Sequence, residues 1–273
     1  MKLTTRKTPA GLTRLELLIV IVIIIVLVSP LLPTLNRAKA KRGRIKCLSN
    51  QKQIGTAFRV FASDNGDLFP LQARGNSYIY QPERVGTDPG AVASTNAQAW
   101  QVFQAIWNEL QTPKILLCPD DLARRPYNRV TDFNGLANAP SQVTNTSLGY
   151  PDNQNRAVSY APQSNANETS PLGIVALDNN INFATEKSSP KTEAPASGSR
   201  FSIISPEQAR WVYWVKGRTL RDHELPGNLT FADGSVRGTD SPALRRTLYN
   251  SGTNYGWGTP AAPGPGASVF LMP

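Results

Sequence analysis

The single histidine of the chain, His223, lies between two carboxylates, Asp222 and Glu224. An imidazole beside acids could support acid–base catalysis or bind a metal ion, with other aspartates brought close by folding. No G-x-S-x-G nucleophile motif, P-loop, H-E-x-x-H pair or dinucleotide fingerprint accompanies it. Asp233 precedes a glycine, where a turn is a sufficient role. We therefore expect no catalytic residue and a protein that is not an enzyme.

Two acidic pairs in loops are candidates for calcium ligands, namely Asp64 and Asp67, with Asn65 between them, and Asp120 and Asp121. Calcium requires several oxygen ligands at defined positions, and neither pair has the spacing of an EF-hand loop. Solvated loop carboxylates explain both pairs. We expect no metal site and no cofactor, with calcium the one ion left open.

The two cysteines, Cys47 and Cys118, leave two interpretations open. In a domain outside the cytoplasm they could form one disulfide, and elsewhere they would be reduced, buried thiols that behave as small hydrophobic residues. Two cysteines and one histidine are too few for a zinc site. We favour the disulfide.

One carboxylate, Glu16, stands at the start of a long apolar run. The stretch from Gly11 to Leu35 reads GLTRLELLIVIVIIIVLVSPLLPTL and is long enough to cross a bilayer as a helix. An ionised group at that position costs a few kcal/mol in an apolar medium, so it needs a partner. Pro30 and Pro33 fall inside the stretch and predict a kink.

Positive charge is concentrated around this apolar run. The net charge is +10, and residues 1–46 hold ten basic residues and one acidic residue. The other 227 residues hold nineteen basic and eighteen acidic residues, so the main domain is nearly neutral and no nucleic-acid partner is expected. By charge counting, the six basic residues after the run would place that domain in the cytoplasm.

The leader and the apolar run together resemble the prepilin-type signal of type IV pilins and type II secretion pseudopilins. A basic leader ends at Gly11, and Glu16 follows five residues later, at the family's position for a buried glutamate. The resemblance implies that prepilin peptidase cuts between Gly11 and Leu12 and methylates Leu12. The residues that carry the resemblance are Lys2, Arg6, Lys7, Gly11, Thr13, Leu15, Glu16, Leu17 and Leu18. Leu12 departs from the usual phenylalanine, and Arg14 from the usual apolar residue.

Two later segments resemble a subgroup of prepilin-like proteins. One is the segment 47–55, CLSNQKQIG, with the exit DNGDLFP at 64–70. The other is His223 with GNLTFADGSV at 227–236. Both extend the family resemblance beyond the leader.

The resemblance implies a function in assembly. After the cut, the amine of Leu12 and the carboxylate of Glu16 lie one helical turn apart, so Glu16 can pair with its own amine or with that of a neighbouring subunit. The chain would be a structural subunit of a type II secretion pseudopilus or a type IV pilus-like filament. Its partners would be prepilin peptidase, other pilin or pseudopilin subunits and membrane lipid.

Other functions and another signal remain open. The same anchor could display an envelope binding protein that forms no filament, or a hydrolase. An ordinary secretory signal peptide would use Leu17–Val28 as its apolar core and Ala38-Lys39-Ala40 as its cleavage site.

The expected fold is α+β, with a long N-terminal transmembrane helix continuing into a pilin-like domain that contains a small antiparallel β-sheet. Against charge counting, the resemblance implies a location in the inner membrane, crossed once, with the N-terminus cytoplasmic and the domain periplasmic. The predicted divisions are a leader (1–11), a transmembrane and assembly helix (12–35), its amphipathic continuation (36–64), a globular α+β domain (65–251) and a Gly/Pro-rich irregular tail (252–273).

Local patterns predict several elements of the domain. Apolar residues at spacings of three and four predict a core-facing helix over 100–110, and Gly66 predicts a left-handed cap after the long helix. Short apolar runs predict strands over 115–118 and 173–177. The Asp-Gly pair at 233–234 predicts a β-hairpin.

Overall fold

The computed structural model describes residues 13–29, 31–73, 97–135, 142–164, 166, 168–183, 200–203, 205–215, 227–255 and 268–273. The chain divides into two compact units, Met1–Arg42 and Gly43–Pro273. The predictions made for Gly11, Leu12, Pro30 and His223 lie outside the described residues.

Four of the described α-helices precede the first strand, and the other two lie among the later strands. The α-helices are α1 (Arg14–Val28), α2 (Leu31–Asp64), α3 (Ala99–Ala105), α4 (Trp107–Leu110), α5 (Pro206–Trp211) and α6 (Ser241–Tyr255). Short 3₁₀ helices cover Pro113–Leu116, Leu122–Arg129 and Gln154–Ala157. The strands are β1 (Tyr160–Pro162), β2 (Ile174–Asp178), β3 (Ile181–Phe183), β4 (Arg200–Ile203), β5 (Val212–Trp214), β6 (Gly227–Phe231), β7 (Val236–Thr239) and β8 (Ser268–Leu271).

The first helix is shorter than the sequence predicts. α1 contains 15 residues, which at 1.5 Å per residue is about 22 Å, whereas a hydrocarbon core of about 30 Å needs about 20 residues. In the part of the chain that the structure describes, no helix has both the length and the apolar character needed to cross a membrane. The transmembrane helix predicted over 12–35 is therefore wrong, and so is the single-pass location in the inner membrane that depended on it.

The second helix, α2, is the longest described element, with 34 residues. Pro33 lies in its first turn, where backbone N–H groups have no partner within the helix and a proline is tolerated. α1 ends at Val28 and α2 begins at Leu31. α2 ends at Asp64, and Gly66 follows with φ +65°, so the predicted left-handed cap is confirmed.

A small antiparallel sheet lies at the centre of the second unit, as predicted. Its strand order is β1-β2-β6-β7, and every neighbouring pair is antiparallel. The predicted hairpin is formed by β6 and β7, with Gly234 at φ +76° in the turn. Two separate two-stranded antiparallel sheets are formed by β3 with β5 and by β4 with β8.

Two apolar clusters fill the second unit. In the first, Phe58 of α2 meets the rings of Phe69 and Phe103 edge-on, with centroids 5.6 and 6.3 Å away. The predicted core-facing helix over 100–110 is confirmed in part. Trp100, Phe103, Ile106 and Leu110 are buried in this cluster, but α3 ends at Ala105 and Trp107 is 38% exposed. The second cluster joins α6, through Leu244 and Leu248, to strands β2, β5, β6 and β8.

Two local predictions are wrong. The apolar run over 115–118 overlaps a 3₁₀ helix, Pro113–Leu116, because Pro113 fixes the backbone and the Thr112 side chain accepts a hydrogen bond from the Lys114 N–H. The tail from residue 252, predicted to be irregular, includes the end of α6 and strand β8. β8 forms because it pairs with β4, more than sixty residues earlier, which no local pattern reveals.

Candidate functional site

The surface of α1 is the largest candidate site in the first unit. Every residue of α1 except Arg14 and Glu16 is leucine, isoleucine or valine, and none of its residues is buried. The exposed fractions of these aliphatic side chains run from 43% at Val28 to 68% at Leu15. A contiguous exposed apolar surface of this kind marks a site of association.

Glu16 lies at the polar end of this surface and is bonded to Thr13. Its Oε2 accepts hydrogen bonds from the Thr13 backbone N–H at 2.8 Å and from the Thr13 hydroxyl at 3.0 Å. The Glu16 N–H donates to the Thr13 hydroxyl oxygen at 3.3 Å. This is a capping box, which satisfies backbone groups at the start of a helix. The backbone bond and then the side-chain bond from Thr13 lower the pKa of Glu16, so the carboxylate is charged at neutral pH.

The structure joins the two cysteines. Cys47 of α2 and Cys118 form a disulfide across a sequence separation of 71 residues, as we favoured from the sequence. Asn50, one turn further along α2, donates to the Leu117 carbonyl oxygen at 2.9 Å. Two bonds, one covalent, therefore fix this part of α2 to the segment around residue 118.

A cluster of polar side chains fixes α2 to the central sheet. Gln51 donates from Nε2 to Oδ1 of Asp178 at 2.7 Å, and its Oε1 accepts from the Thr230 hydroxyl at 2.9 Å. Asn228 donates to Oδ2 of Asp178 from its backbone N–H at 2.9 Å and from its side chain at 3.0 Å. Asp178 ends β2, while Asn228 and Thr230 belong to β6, so one helix and two strands meet in the cluster.

No cationic side chain is among the hydrogen-bond partners that the structure gives to Asp178 within the described residues. Desolvation is the largest effect on this carboxyl and raises its pKa to about 7, against the hydrogen bonds from Asn228 and Gln51, which lower it. Near neutral pH the group therefore changes charge inside a helix–sheet contact. No local pattern around Asp178 or Gln51 indicates this contact, because the two residues are 127 positions apart in the chain.

Two of the acidic residues named from the sequence, Asp121 and Asp233, make contacts within the protein. Asp121 pairs with the buried Arg124, with Nε and Oδ2 3.0 Å apart. Asp233 accepts a hydrogen bond from the Ser235 N–H at 2.7 Å in the hairpin turn. Among the residues that the structure describes, no three His, Cys, Asp or Glu side chains are grouped as a metal ion would require.

Comparison of the chain with protein-family models, with curated proteins and with solved structures gives no match. The contacts of the described residues and the motifs of the sequence are therefore the basis for assigning a function.

Proposed function

We propose that the chain is a structural subunit of a pilin-like filament, either a type II secretion pseudopilus or a type IV pilus-like fibre, and that it assembles through α1. The observation that supports this proposal is the exposed aliphatic surface of α1, which runs from Leu15 to Val28 with one charged residue, Glu16, inside its first turn. The prepilin-type motif around Gly11 agrees with it.

The distribution of apolar residues favours a filament over a dimer. A helix that is apolar around its whole circumference needs cover on every side, and a two-fold contact would cover one face only. Several copies of α1 packed around each other bury all faces. Each buried leucine, isoleucine or valine contributes about 1.5–3 kcal/mol, and part of that total offsets the entropy lost on association.

Processing would prepare the helix for this packing. In the proposal, prepilin peptidase cuts after Gly11, and the new amine of Leu12 meets the carboxylate of Glu16 in a neighbouring subunit. A charge enclosed by apolar side chains is costly unless it is paired. The pairing therefore fixes one register between subunits, while the backbone N–H of Thr13 keeps the Glu16 carboxylate oriented.

Electron microscopy of the full-length protein tests the assembly. Ile19→Glu with Ile23→Glu places two charges on one face of α1, and we expect filaments from the native chain and none from this variant. Leu172→Glu is the matched control, because Leu172 is 48% exposed and lies outside α1. A native chain that stays monomeric, or a double variant that still forms filaments, would contradict the proposal.

Two variants separate the charge of Glu16 from its capping role. Glu16→Gln retains an oxygen that can accept from Thr13 but removes the charge, whereas Thr13→Ala removes the hydroxyl and leaves the carboxylate. We expect Glu16→Gln to abolish filaments and Thr13→Ala to preserve them. Filaments from Glu16→Gln together with their loss in Thr13→Ala would assign Glu16 to helix capping alone.

Mass spectrometry of the mature N-terminus tests processing. We expect a chain that begins at Leu12 with one added methyl group. A chain that begins at Lys41 would instead identify an ordinary signal peptide and remove Glu16 from the mature protein.

A further inference from the structure

A basic groove runs along the second unit between α2 and the segment that follows α4. Its volume is about 760 Å³, within the range of ligand-binding clefts. Lys46, Asn50 and Gln53 line one wall at successive turns of α2, and Lys114, Arg125 and Asn128 line the other. Between them lies an apolar floor that includes Leu117, Cys118 and Pro119.

The charges of this groove are unbalanced. Among the residues that the structure describes, its lining contains four cations, Lys46, Lys114, Arg124 and Arg125, and no carboxylate. Arg124 is buried and paired with Asp121. The other three cations are exposed, and the structure gives their side chains no ion pair or hydrogen bond within the described ranges. They therefore create a positive potential over a concave, partly apolar surface.

The groove is held rigid without a ligand. The Cys47–Cys118 disulfide joins α2, next to Lys46, to the floor of the groove, and Asn50 bonds to the Leu117 carbonyl oxygen. Arg124 also donates to the carbonyl oxygens of Asn155 and Pro273 at 3.0 and 2.9 Å. A preorganised site loses less conformational entropy when a ligand binds.

We propose that this groove binds an extended acidic peptide segment of a partner protein. The three unpaired cations suit carboxylates, the floor suits aliphatic side chains, and the amides of Gln53 and Asn128 offer both the donor and the acceptor that a peptide backbone needs. No aromatic residue of the described segments lines the groove, and stacking aromatics are the usual partners of single-stranded nucleic acid bases. The groove contains no residue of α1, so this proposal stands apart from filament assembly.

Fluorescence anisotropy with the full-length protein tests the proposal. The probe is a labelled short peptide of alternating glutamate and leucine, and the comparison peptide replaces every glutamate by glutamine. We expect at least tenfold weaker binding of the glutamine peptide and a loss of affinity for the glutamate peptide as salt is raised. Equal binding of both peptides would overturn the proposal, as would displacement of the probe by equimolar inorganic phosphate, which would show a simple anion site.

Charge-reversal variants locate the site. Lys114→Glu with Arg125→Glu should weaken binding of the glutamate peptide at least tenfold. The matched control is Arg210→Glu with Arg246→Glu, which changes the net charge equally at exposed cations outside the groove and should leave affinity unchanged. Lys114→Gln with Arg125→Gln gives a second, milder variant should the reversal impair folding. Equal loss in the groove and control variants would reduce the effect to net charge and refute the site.

Discussion

The side-chain amide of Gln51 on α2 donates a hydrogen bond of 2.7 Å to the carboxylate of Asp178 at the end of β2. The two residues are 127 positions apart in the chain. The same carboxylate accepts two hydrogen bonds from Asn228 of β6. One acid thus joins a helix and two strands, and its protonation state affects how firmly they are held.

The raised pKa of Asp178 predicts that the free energy of unfolding falls as pH rises. Its pKa is about 7 in the folded protein and about 4 in an unfolded chain, so between these values the folded state binds more protons. The contribution of Asp178 to the free energy of unfolding is therefore greatest below about pH 4. It falls by about 4 kcal/mol as pH rises towards 7. Chemical denaturation of the native chain at a series of pH values measures this slope.

Asp178→Asn should flatten the slope between pH 4 and pH 7, because it removes the titrating group. Glu109→Gln is the control, since desolvation also raises the pKa of Glu109 and a general effect of removing such a carboxyl would appear there too. We expect most of the slope to persist in Glu109→Gln. An Asp178→Asn variant with the native slope would place the titration elsewhere.

α2 and β6 approach each other closely at Gly55. A β-carbon added at Gly55 would lie 2.7 Å from the Thr230 methyl group, and Thr230 is held by its hydrogen bond to Gln51. Gly55→Ala should therefore lower the free energy of unfolding by about 1–3 kcal/mol, despite the better helix propensity of alanine. Thermal or chemical denaturation measures the change.

A second substitution tests the cause. Thr230→Ser removes the methyl group and keeps the hydroxyl that bonds Gln51, so the double variant should recover much of the stability lost by Gly55→Ala. Additive losses in the double-mutant cycle would show that the contact with Thr230 does not explain the effect.

The disulfide predicts sensitivity to reducing agents. Cys47 and Cys118 close a loop of about seventy residues, and such a link stabilises a domain by about 2–4 kcal/mol. Cys47→Ser with Cys118→Ser should lose this amount, and dithiothreitol should lower the stability of the native chain but not of the variant. If dithiothreitol leaves the native chain unchanged, the bond contributes nothing to stability.

The buried contacts of Arg124 predict a large loss of stability when it is replaced by lysine. It is buried, pairs with Asp121 and donates to the carbonyl oxygens of Asn155 and Pro273. Lysine cannot reproduce this planar set of donors, so Arg124→Lys should lower the free energy of unfolding by about 3 kcal/mol or more. Arg125→Lys, at an exposed neighbour, is the control and should remain within about 0.5 kcal/mol of the native chain. Equal changes in both variants would contradict the role of the buried contacts.

The elements predicted correctly carry local signals. The apolar spacing over 100–110 describes one face of a helix, and the Asp-Gly pair allows the positive φ that the β6–β7 turn needs. The apolar run GIVAL at 173–177 predicts strand β2. The strand ends at Asp178, the residue that makes the polar contacts with α2 and β6. The capping box of Thr13 and Glu16 also has a local signature. The apolar residues around Glu16 favour a different interpretation, in which its carboxylate pairs with an amine.

The sequence by itself determined the α+β class, the hairpin and the concentration of charge near the N-terminus, because each depends on residues within a few positions of each other. Only the tertiary structure decided that α1 stops after 15 residues, that β8 pairs with β4 and that Gln51, Asp178 and Asn228 meet. Strand pairing and buried polar contacts join distant residues, and their energies depend on which groups lose water together. Periodicity along the chain holds no information about that desolvation.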